Sequence, residues 1–165
     1  MSRRLKSILV NLLIFLSVYF AVHLYQTRLA PSGQAPEIKG WLLEGKTFDG
    51  LYQHDKPILV HFWATWCKVC EFEESSINNI AQDYHVITLA SQSGSFSEVK
   101  KFQKENALNF PIIVDQSGVL AKEWGIVGFP SSFVVDEKNN IRFVEVGFTT
   151  ELGLRLRLWF AKYFT

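Results

Sequence analysis

The apolar residues of this chain form one long block, followed by shorter runs with the spacing of strands and helices. The block covers residues 7–27 and contains no Asp, Glu, Lys or Arg. It is apolar on every face of a helix, and about 20 such residues span a bilayer. Arg3, Arg4 and Lys6 precede it, which predicts a cytoplasmic N-terminus and an exported remainder. The pattern therefore predicts a signal anchor over 1–28, with a membrane-spanning helix at about 7–27.

A cleaved signal peptide is the alternative, because its charged start looks the same. The apolar run is longer than the roughly 7–15 residues of a usual signal peptide, and Tyr25 to Ala30 contains no clean small-x-small cleavage site. In both cases the remainder lies outside the cytoplasm, where disulfide chemistry is permitted. Residues 29–37, with two prolines and a glycine, are typical of a tether. We expect the globular domain over 38–165.

The first half of that domain alternates between strand and helix patterns. Residues 57–64 predict a buried strand, 67–83 a helix and 85–90 a second buried strand. Strand, helix and strand in this order imply a parallel crossover. The expected inner stripe of the helix is Phe72, Ile77, Ile80 and Ala81.

The second half predicts a helix that starts at a capping box formed by Ser95 and Glu98. It is followed by a short strand at 111–114 and a helical segment at 117–124. Two runs flanking a polar turn, at 131–136 and 141–146, predict an antiparallel hairpin. A last helix covers about 150–163, and one of its faces carries Leu152, Leu156, Trp159 and Tyr163.

Composition and charge narrow the class of protein. Apolar residues make up 48% of the chain, including 14 Phe and 5 Trp, which is ample for a packed core. The net charge is +1, but Arg3, Arg4, Lys6 and Arg28 belong to the anchor and its flanks. Without these 4, the 17 basic residues become 13 against 16 acidic ones, a net charge of −3. A nucleic-acid partner is therefore not expected, since binding it would need a basic face.

Cys67 and Cys70 are the only cysteines of the chain, and they lie where the first buried strand gives way to the helix. At a helix start, backbone N–H groups stabilise the thiolate of Cys67, which is the form that attacks disulfides. Cys70, one turn further, can close a ring with it and resolve a mixed disulfide. Lys68 adds a positive charge beside the thiolate. The spacing favours redox chemistry.

Two other readings of the pair are a structural disulfide and a metal clamp. A structural disulfide would stabilise little, because so short a loop removes little unfolded-state entropy. Structural zinc needs four ligands, and no second cysteine pair or close histidine pair supplies them. Copper(I) needs only the two soft thiolates.

The motifs resemble those of thioredoxin-fold proteins. Phe62-Trp63-Ala64-Thr65-Trp66-Cys67-x-x-Cys70 is similar to their active-site segment, and Gly128-Phe129-Pro130 before an apolar strand is similar to their cis-proline loop. An extra strand and helix between about residues 86 and 114 resemble the insertion of the membrane-anchored or exported TlpA/ResA-like branch. Within it, the chain resembles the D-type proteins of the suppressor-for-copper-sensitivity group. The likeness covers about 36–165 and implies an α/β thioredoxin fold, a central mixed sheet flanked by helices.

The resemblance implies roles for individual residues. Cys67 becomes the nucleophile and Cys70 the resolving thiol. Pro130 becomes the cis-proline that faces them, and Phe129 presents its backbone to a substrate strand. Trp66 fits the exposed aromatic residue beside the disulfide, although a tryptophan at a strand end is also typical of packing.

Other positions are ambiguous or depart from the family pattern. Glu73 matches a functional acidic residue of ResA-like proteins and can accept the proton of Cys70, but it also lies in an acidic run typical of a solvated face. Thioredoxin's buried aspartate is His61 here, either a satisfied core histidine or a proton shuttle. The helix-kinking proline is Ser75. Lys68 and Val69 replace the more common proline-containing dipeptide that tunes the reduction potential.

The implied activity is that of a thiol:disulfide oxidoreductase with neither an organic cofactor nor a metal. It would sit in the bacterial inner membrane as a single-pass protein, with its domain in the periplasm. Its partners would be protein thiols and disulfides and a membrane-embedded redox protein, and it could run as a reductant or as an oxidant. The alternative is a copper(I)-binding or delivery module that uses the thiolates of Cys67 and Cys70.

Overall fold

The apolar N-terminal block forms a helix, α1 (Arg3–Leu29). The structure, a computed structural model, describes residues 3–29, 32–51 and 56–164. The described side chains of α1, at positions 7–18, 20 and 21, are exposed. Within these ranges, no helix combines the length and the apolarity needed to cross a membrane. The spanning segment at about 7–27 therefore stays a prediction.

The described ranges contain two sheets. Their strands are β1 (Gly33–Gln34), β2 (Lys39–Trp41), β3 (Thr47–Asp49), β4 (Ile58–Trp63), β5 (His85–Ser91), β6 (Ile112–Asp115), β7 (Ser131–Val135) and β8 (Asn140–Val146). Six of these strands form one sheet in the order β1-β8-β7-β4-β5-β6, and β2 pairs with β3 apart from it.

The central sheet is mixed. β4, buried along its whole length, is parallel to β5, with Ile58 opposite His85 and Trp63 opposite Ala90. The predicted parallel crossover is therefore confirmed. β7 pairs antiparallel with both β4 and β8, so the hairpin predicted near the C-terminus is also confirmed.

The helices that follow α1 lie between the strands and after the last one. They are α2 (Lys68–Glu71), α3 (Glu74–Asp83), α4 (Phe96–Glu105), α5 (Val119–Glu123) and α6 (Glu151–Tyr163). α4 begins with the predicted capping box, since the Ser95 hydroxyl accepts from the Glu98 N–H and the Glu98 carboxylate accepts from the Ser95 N–H. The helix predicted from this capping box and the short strand predicted at 111–114 are therefore confirmed as α4 and β6.

The single helix predicted over 67–83 is wrong, because the chain breaks between α2 and α3. The N–H groups of Phe72 and Glu73 donate to carbonyls three residues back, at Val69 and Cys70, which tightens the backbone into a turn. The break turns Phe72 outward, where it is 73% exposed, and turns Glu73 inward. Phe72 is therefore not part of the inner stripe, and the break arises without the proline that Ser75 replaces.

Two apolar clusters cover the two faces of the sheet. One lies under α3 and α6 and contains both cysteines. The other surrounds Phe62, Trp124 and Phe133, whose rings meet at centroid distances of 4.9 to 5.9 Å. α6 faces the core with Leu154, Leu158 and Ala161. The face predicted from Leu152, Leu156, Trp159 and Tyr163 lies on the opposite, exposed side.

Part of the segment predicted as a tether is fastened to the sheet. Gly33 lies opposite Ile141 of β8. The Ala35 N–H donates to the Asn139 carbonyl at 2.8 Å, and the Asn139 amide donates back to the Ala35 carbonyl at 3.1 Å. Ala35 is buried. Residues 33–35 therefore belong to the domain and not to a free linker.

Candidate active site

The cysteine pair lies just beyond the carboxyl end of β4. Cys67 is the residue before α2, and its sulfur forms a disulfide with that of Cys70. The Cys70 N–H donates to Cys67 Sγ at 3.2 Å. Cys67 is 7% exposed and Cys70 3%. The first cysteine is the more accessible one, and it also receives the N–H bond that favours a thiolate.

An apolar rim surrounds the disulfide. Trp66 is 60% exposed, yet it is held in place, because its Nε1–H donates to the Gln92 carbonyl at 3.0 Å. Its ring meets that of Phe129 edge to face at 5.7 Å. Val69 and Phe72 are also exposed beside the pair. The Trp66 side chain is thus exposed beside the disulfide and is also held in place by packing, so it combines the two roles predicted for it.

A groove of about 750 Å³ begins at this rim. Its lining includes Trp66 and Phe129 of the rim, together with Ile126, Val127 and Lys122. The groove is open and mostly apolar, with one cation. Its size and shape suit an extended peptide segment laid beside the disulfide.

The loop before β7 forms the wall next to the groove. The peptide bond between Phe129 and Pro130 is cis, the geometry that the family resemblance implies. The Pro130 carbonyl accepts from the Gly147 N–H at 2.8 Å, so it is already engaged. Phe129 packs against the core cluster that contains both cysteines.

His61 lies on β4 and is buried. Its Nδ1 shares a hydrogen bond of 2.9 Å with the Ser132 hydroxyl, which lies opposite it on β7. Burial lowers the pKa of His61 to about 3, so the imidazole is neutral at ordinary pH. One ring nitrogen is satisfied by Ser132, and the other faces Glu73.

Glu73 is buried, unlike its neighbours in the acidic run. The Thr149 N–H donates to Oε1, while Oε2 has no hydrogen-bond partner and lies 4.0 Å from His61 Nε2. The pKa of Glu73 is raised to about 7, chiefly because the carboxyl group is buried; the bond from Thr149 opposes this rise and the nearby charge of Glu145 adds to it. The solvated-face reading of Glu73 is therefore wrong.

Lys68 and Val69 lie on the outside of α2. Lys68 Nζ forms an ion pair with Glu71 Oε1 at 2.7 Å, and both side chains are exposed. Its charge is therefore directed at a carboxylate of the same helix. Such an exposed pair contributes little to stability.

Three contacts around the site involve residues whose roles the sequence does not predict. They are Gln92, Ser132 and Thr149, which hold Trp66, His61 and Glu73 respectively. These residues are distant in sequence from the side chains they hold, and they reach the site only through the strand register and the fold. The described part of the chain contains no group of three or more His, Cys, Asp or Glu side chains placed to hold a metal ion.

The fold and the cysteine pair define a thioredoxin-like protein. The Redoxin family model matches residues 30–153, and the chain therefore belongs to the Redoxin family. A thioredoxin-like protein of Haemophilus influenzae is 35% identical over 125 residues, 74% of each chain. Thiol-disulfide oxidoreductase ResA of Bacillus thuringiensis is 31% identical over 117 residues, 68% of this chain and 64% of the relative.

A solved structure agrees with these sequence relatives. StoA of Bacillus subtilis superposes with a TM-score of 0.67 at 27% identity, over 77% of this chain and 98% of that one. Together with the disulfide, these relatives identify the chain as a thioredoxin-like thiol:disulfide oxidoreductase. ResA is named for thiol and disulfide chemistry, and the copper(I) alternative gains no support.

Proposed function

We propose that this protein exchanges disulfides with cysteine-containing proteins outside the cytoplasm, with Cys67 as the attacking thiol and Cys70 as the resolving one. The observation that carries the proposal is the disulfide between these residues, at a helix start and inside an exposed apolar rim. The chain has no other cysteine, so every covalent step must pass through this pair.

The exchange proceeds in two displacements. In the reducing direction, the Cys67 thiolate attacks a substrate disulfide, forms a mixed disulfide and releases one substrate thiolate. Cys70 then attacks Cys67 Sγ, which closes the internal disulfide and releases the second substrate thiolate. Two electrons pass to the substrate. The reverse sequence oxidises a substrate dithiol and leaves Cys67 and Cys70 reduced.

Glu73 is the proposed proton acceptor for Cys70. It begins the turn after α2, and its N–H donates to the Cys70 carbonyl at 2.9 Å. A carboxyl group with a pKa near 7 is suited to take a thiol proton at one stage and return it at another. We propose that His61 stays neutral and takes no proton itself, while its Nε2 faces the unpaired Oε2 of Glu73.

Protein substrates fit the surface around the disulfide better than small thiols do. Trp66, Val69 and Phe72 expose apolar area on the segment that holds the cysteines, and Val127 exposes apolar area in the groove. Interfaces bury such aromatic anchors at their centres. The groove that starts at Trp66 and Phe129 offers room for the residues that flank a substrate cysteine.

We further propose that α1 attaches the domain to the bacterial inner membrane, with residues 38–165 in the periplasm. The absence of acidic and basic residues over 7–27, the basic residues before it and the exposed apolar side chains of α1 support this. A tethered domain meets a membrane-embedded redox partner at raised effective concentration, which favours such a partner as its source or acceptor of electrons.

The test is to compare the wild type with Cys67→Ala and Cys70→Ala in insulin reduction and in thiol oxidation. Both variants should lose turnover. Cys70→Ala should also accumulate mixed disulfides through Cys67, and identification of the captured proteins names the substrates. Cys67→Ala is the matched control, because it keeps one thiol but should capture nothing. Equal capture by both variants would contradict the assignment of the nucleophile.

A further inference from the structure

Helix α6 is apolar on two opposite sides. Leu154, Leu158 and Ala161 fill its core side. Its other side, which we call the outer face of α6, consists of Leu152, Leu156, Trp159, Phe160, Tyr163 and Phe164, all between 46% and 67% exposed. A continuous exposed apolar patch of this kind marks an interaction site in most soluble proteins.

The charged side chains of α6 beyond its first residue, Glu151, are all basic. Residues 152–164 include Arg155, Arg157 and Lys162 and no Asp or Glu. Arg155 pairs with Asp83 and with Glu151 of α6, and Arg157 pairs with Glu145, while Lys162 Nζ lies 5.0 Å from the centre of the Tyr163 ring. Trp, Tyr and Leu beside cations are the composition of helices that lie in the headgroup region of a bilayer. Lys162 is the cation that this face offers to the headgroups of anionic phospholipids.

The connection to α1 brings the outer face close to the proposed anchor. α1 ends at Leu29 and β1 starts at Gly33, so the link reaches at most about 14 Å even when fully extended. Gly33 lies opposite Ile141 of β8. Two residues further along β8, Phe143 packs against Phe160 of α6 at 5.8 Å. The outer face of α6 is therefore on the side of the sheet where β1 and β8 form the edge, and the chain enters the domain from α1 at this same edge.

We propose that the outer face of α6 is a second membrane contact, which rests in the headgroup region of the lipid surface that holds α1. The inference rests on the proposed anchor. Because residues 33–35 are fastened to β8, the domain cannot turn freely on a long linker. Contact at α6 would set its orientation and therefore the direction in which Cys67 faces a partner in the same membrane.

Two exposed tryptophans at opposite edges of the sheet provide the test. Trp159 lies on the outer face of α6, and Trp41 lies on β2, which the Leu42 to Ile113 bridge holds beside β6. The full chain is reconstituted into vesicles of phosphatidylcholine and phosphatidylglycerol with brominated acyl chains. Quenching of tryptophan emission, relative to unbrominated vesicles, reports contact with lipid. Trp159→Phe should lose most of the quenching, and the matched control Trp41→Phe should keep it.

A second variant tests the face without removing the reporter. Leu156→Glu places a carboxylate at the lipid surface and should weaken the quenching of Trp159. Quenching that Trp159→Phe leaves unchanged would overturn the proposal. So would a dimer in detergent that Leu156→Glu dissociates, since this would assign the face to a second copy.

The same vesicles separate this inference from the proposed function. Failure of the α6 contact alone leaves the chain on the vesicles with wild-type disulfide exchange. A chain that does not remain with the vesicles overturns both the α6 contact and the anchor. Loss of exchange in the wild type would contradict the proposed function and would leave the quenching result unaffected.

Discussion

The Nε2 atom of His61 lies 4.0 Å from Oε2 of Glu73, and both side chains are buried. Burial moves their pKa values in opposite directions, to about 3 for His61 and to about 7 for Glu73. Neither group therefore needs to be charged at mildly acidic pH. A neutral imidazole beside a protonated carboxyl group is a low-cost way to bury two titratable groups.

Glu73→Gln should change how stability depends on pH. The folded chain holds a proton on Glu73 that the unfolded chain releases above pH 4.5, so the folded state loses stability as the pH rises from 4.5 to about 7. Relative to the wild type, the variant should gain stability over this range, by about 3 kcal/mol in total. Denaturant unfolding at several pH values measures the difference. A difference that does not vary with pH would contradict a raised pKa for Glu73.

His61 changes the stability of the folded chain with pH in the direction opposite to that of Glu73. The unfolded chain takes up a proton on His61 below pH 6.5 that the folded chain excludes until about pH 3, so stability is lost as the pH falls through this range. The two slopes oppose each other between pH 4.5 and 6.5 in the wild type. In Glu73→Gln, His61 is the only member of the pair that still makes folding stability depend on pH.

Glu73→Gln should also slow the resolving step. A carboxylate is needed to take the proton of Cys70, so the wild-type rate should rise as the pH passes through about 7. The variant should lose this inflection and fall in rate by about 10²-fold or more. Stopped-flow measurement, against pH, of the oxidation of the reduced Cys67–Cys70 pair by a disulfide substrate tests this, because Cys70 is the attacking thiol in that direction. Glu74→Gln is the control, since Glu74 is only half-buried, and it should keep the inflection.

Ser132→Ala should destabilise the chain, because it leaves Nδ1 of buried His61 without its 2.9 Å partner. An unsatisfied buried polar atom costs about 1–3 kcal/mol. Thermal or denaturant unfolding measures the loss. Ser75→Ala, at an exposed position, provides the comparison and should stay close to the wild type. Equal stability of the two variants would mean that His61 does not depend on Ser132.

The order of the strands and helices, and the position of the cysteines between them, could be predicted because buried strands and amphipathic helices leave a local pattern. The break after α2 could not, since Glu73 turns inward to a backbone N–H at Thr149, which lies 76 residues away. β1 was missed because Gly33 and Gln34 have no apolar alternation and pair only through the backbone. His61 meets Ser132 through strand register, which a single sequence does not encode locally.

Trp66 offers a test of substrate recognition that leaves the sulfur chemistry intact. Its ring lines the apolar groove, packs edge to face on Phe129 and is held by the Gln92 carbonyl. Trp66→Ala removes this surface without touching Cys67. We expect the KM for a reduced or disulfide-bonded protein substrate to rise about tenfold, since one aromatic contact contributes about 1.4 kcal/mol.

Turnover of a small disulfide should change little in Trp66→Ala, because such a substrate reaches the sulfur without filling the groove. Trp41→Ala, which removes an exposed tryptophan at the far edge of the sheet, should leave both activities unchanged. Steady-state kinetics with both kinds of substrate separates these cases. If Trp66→Ala slowed the small disulfide as much as the protein substrate, the tryptophan would act on the cysteine pair itself and not on substrate binding.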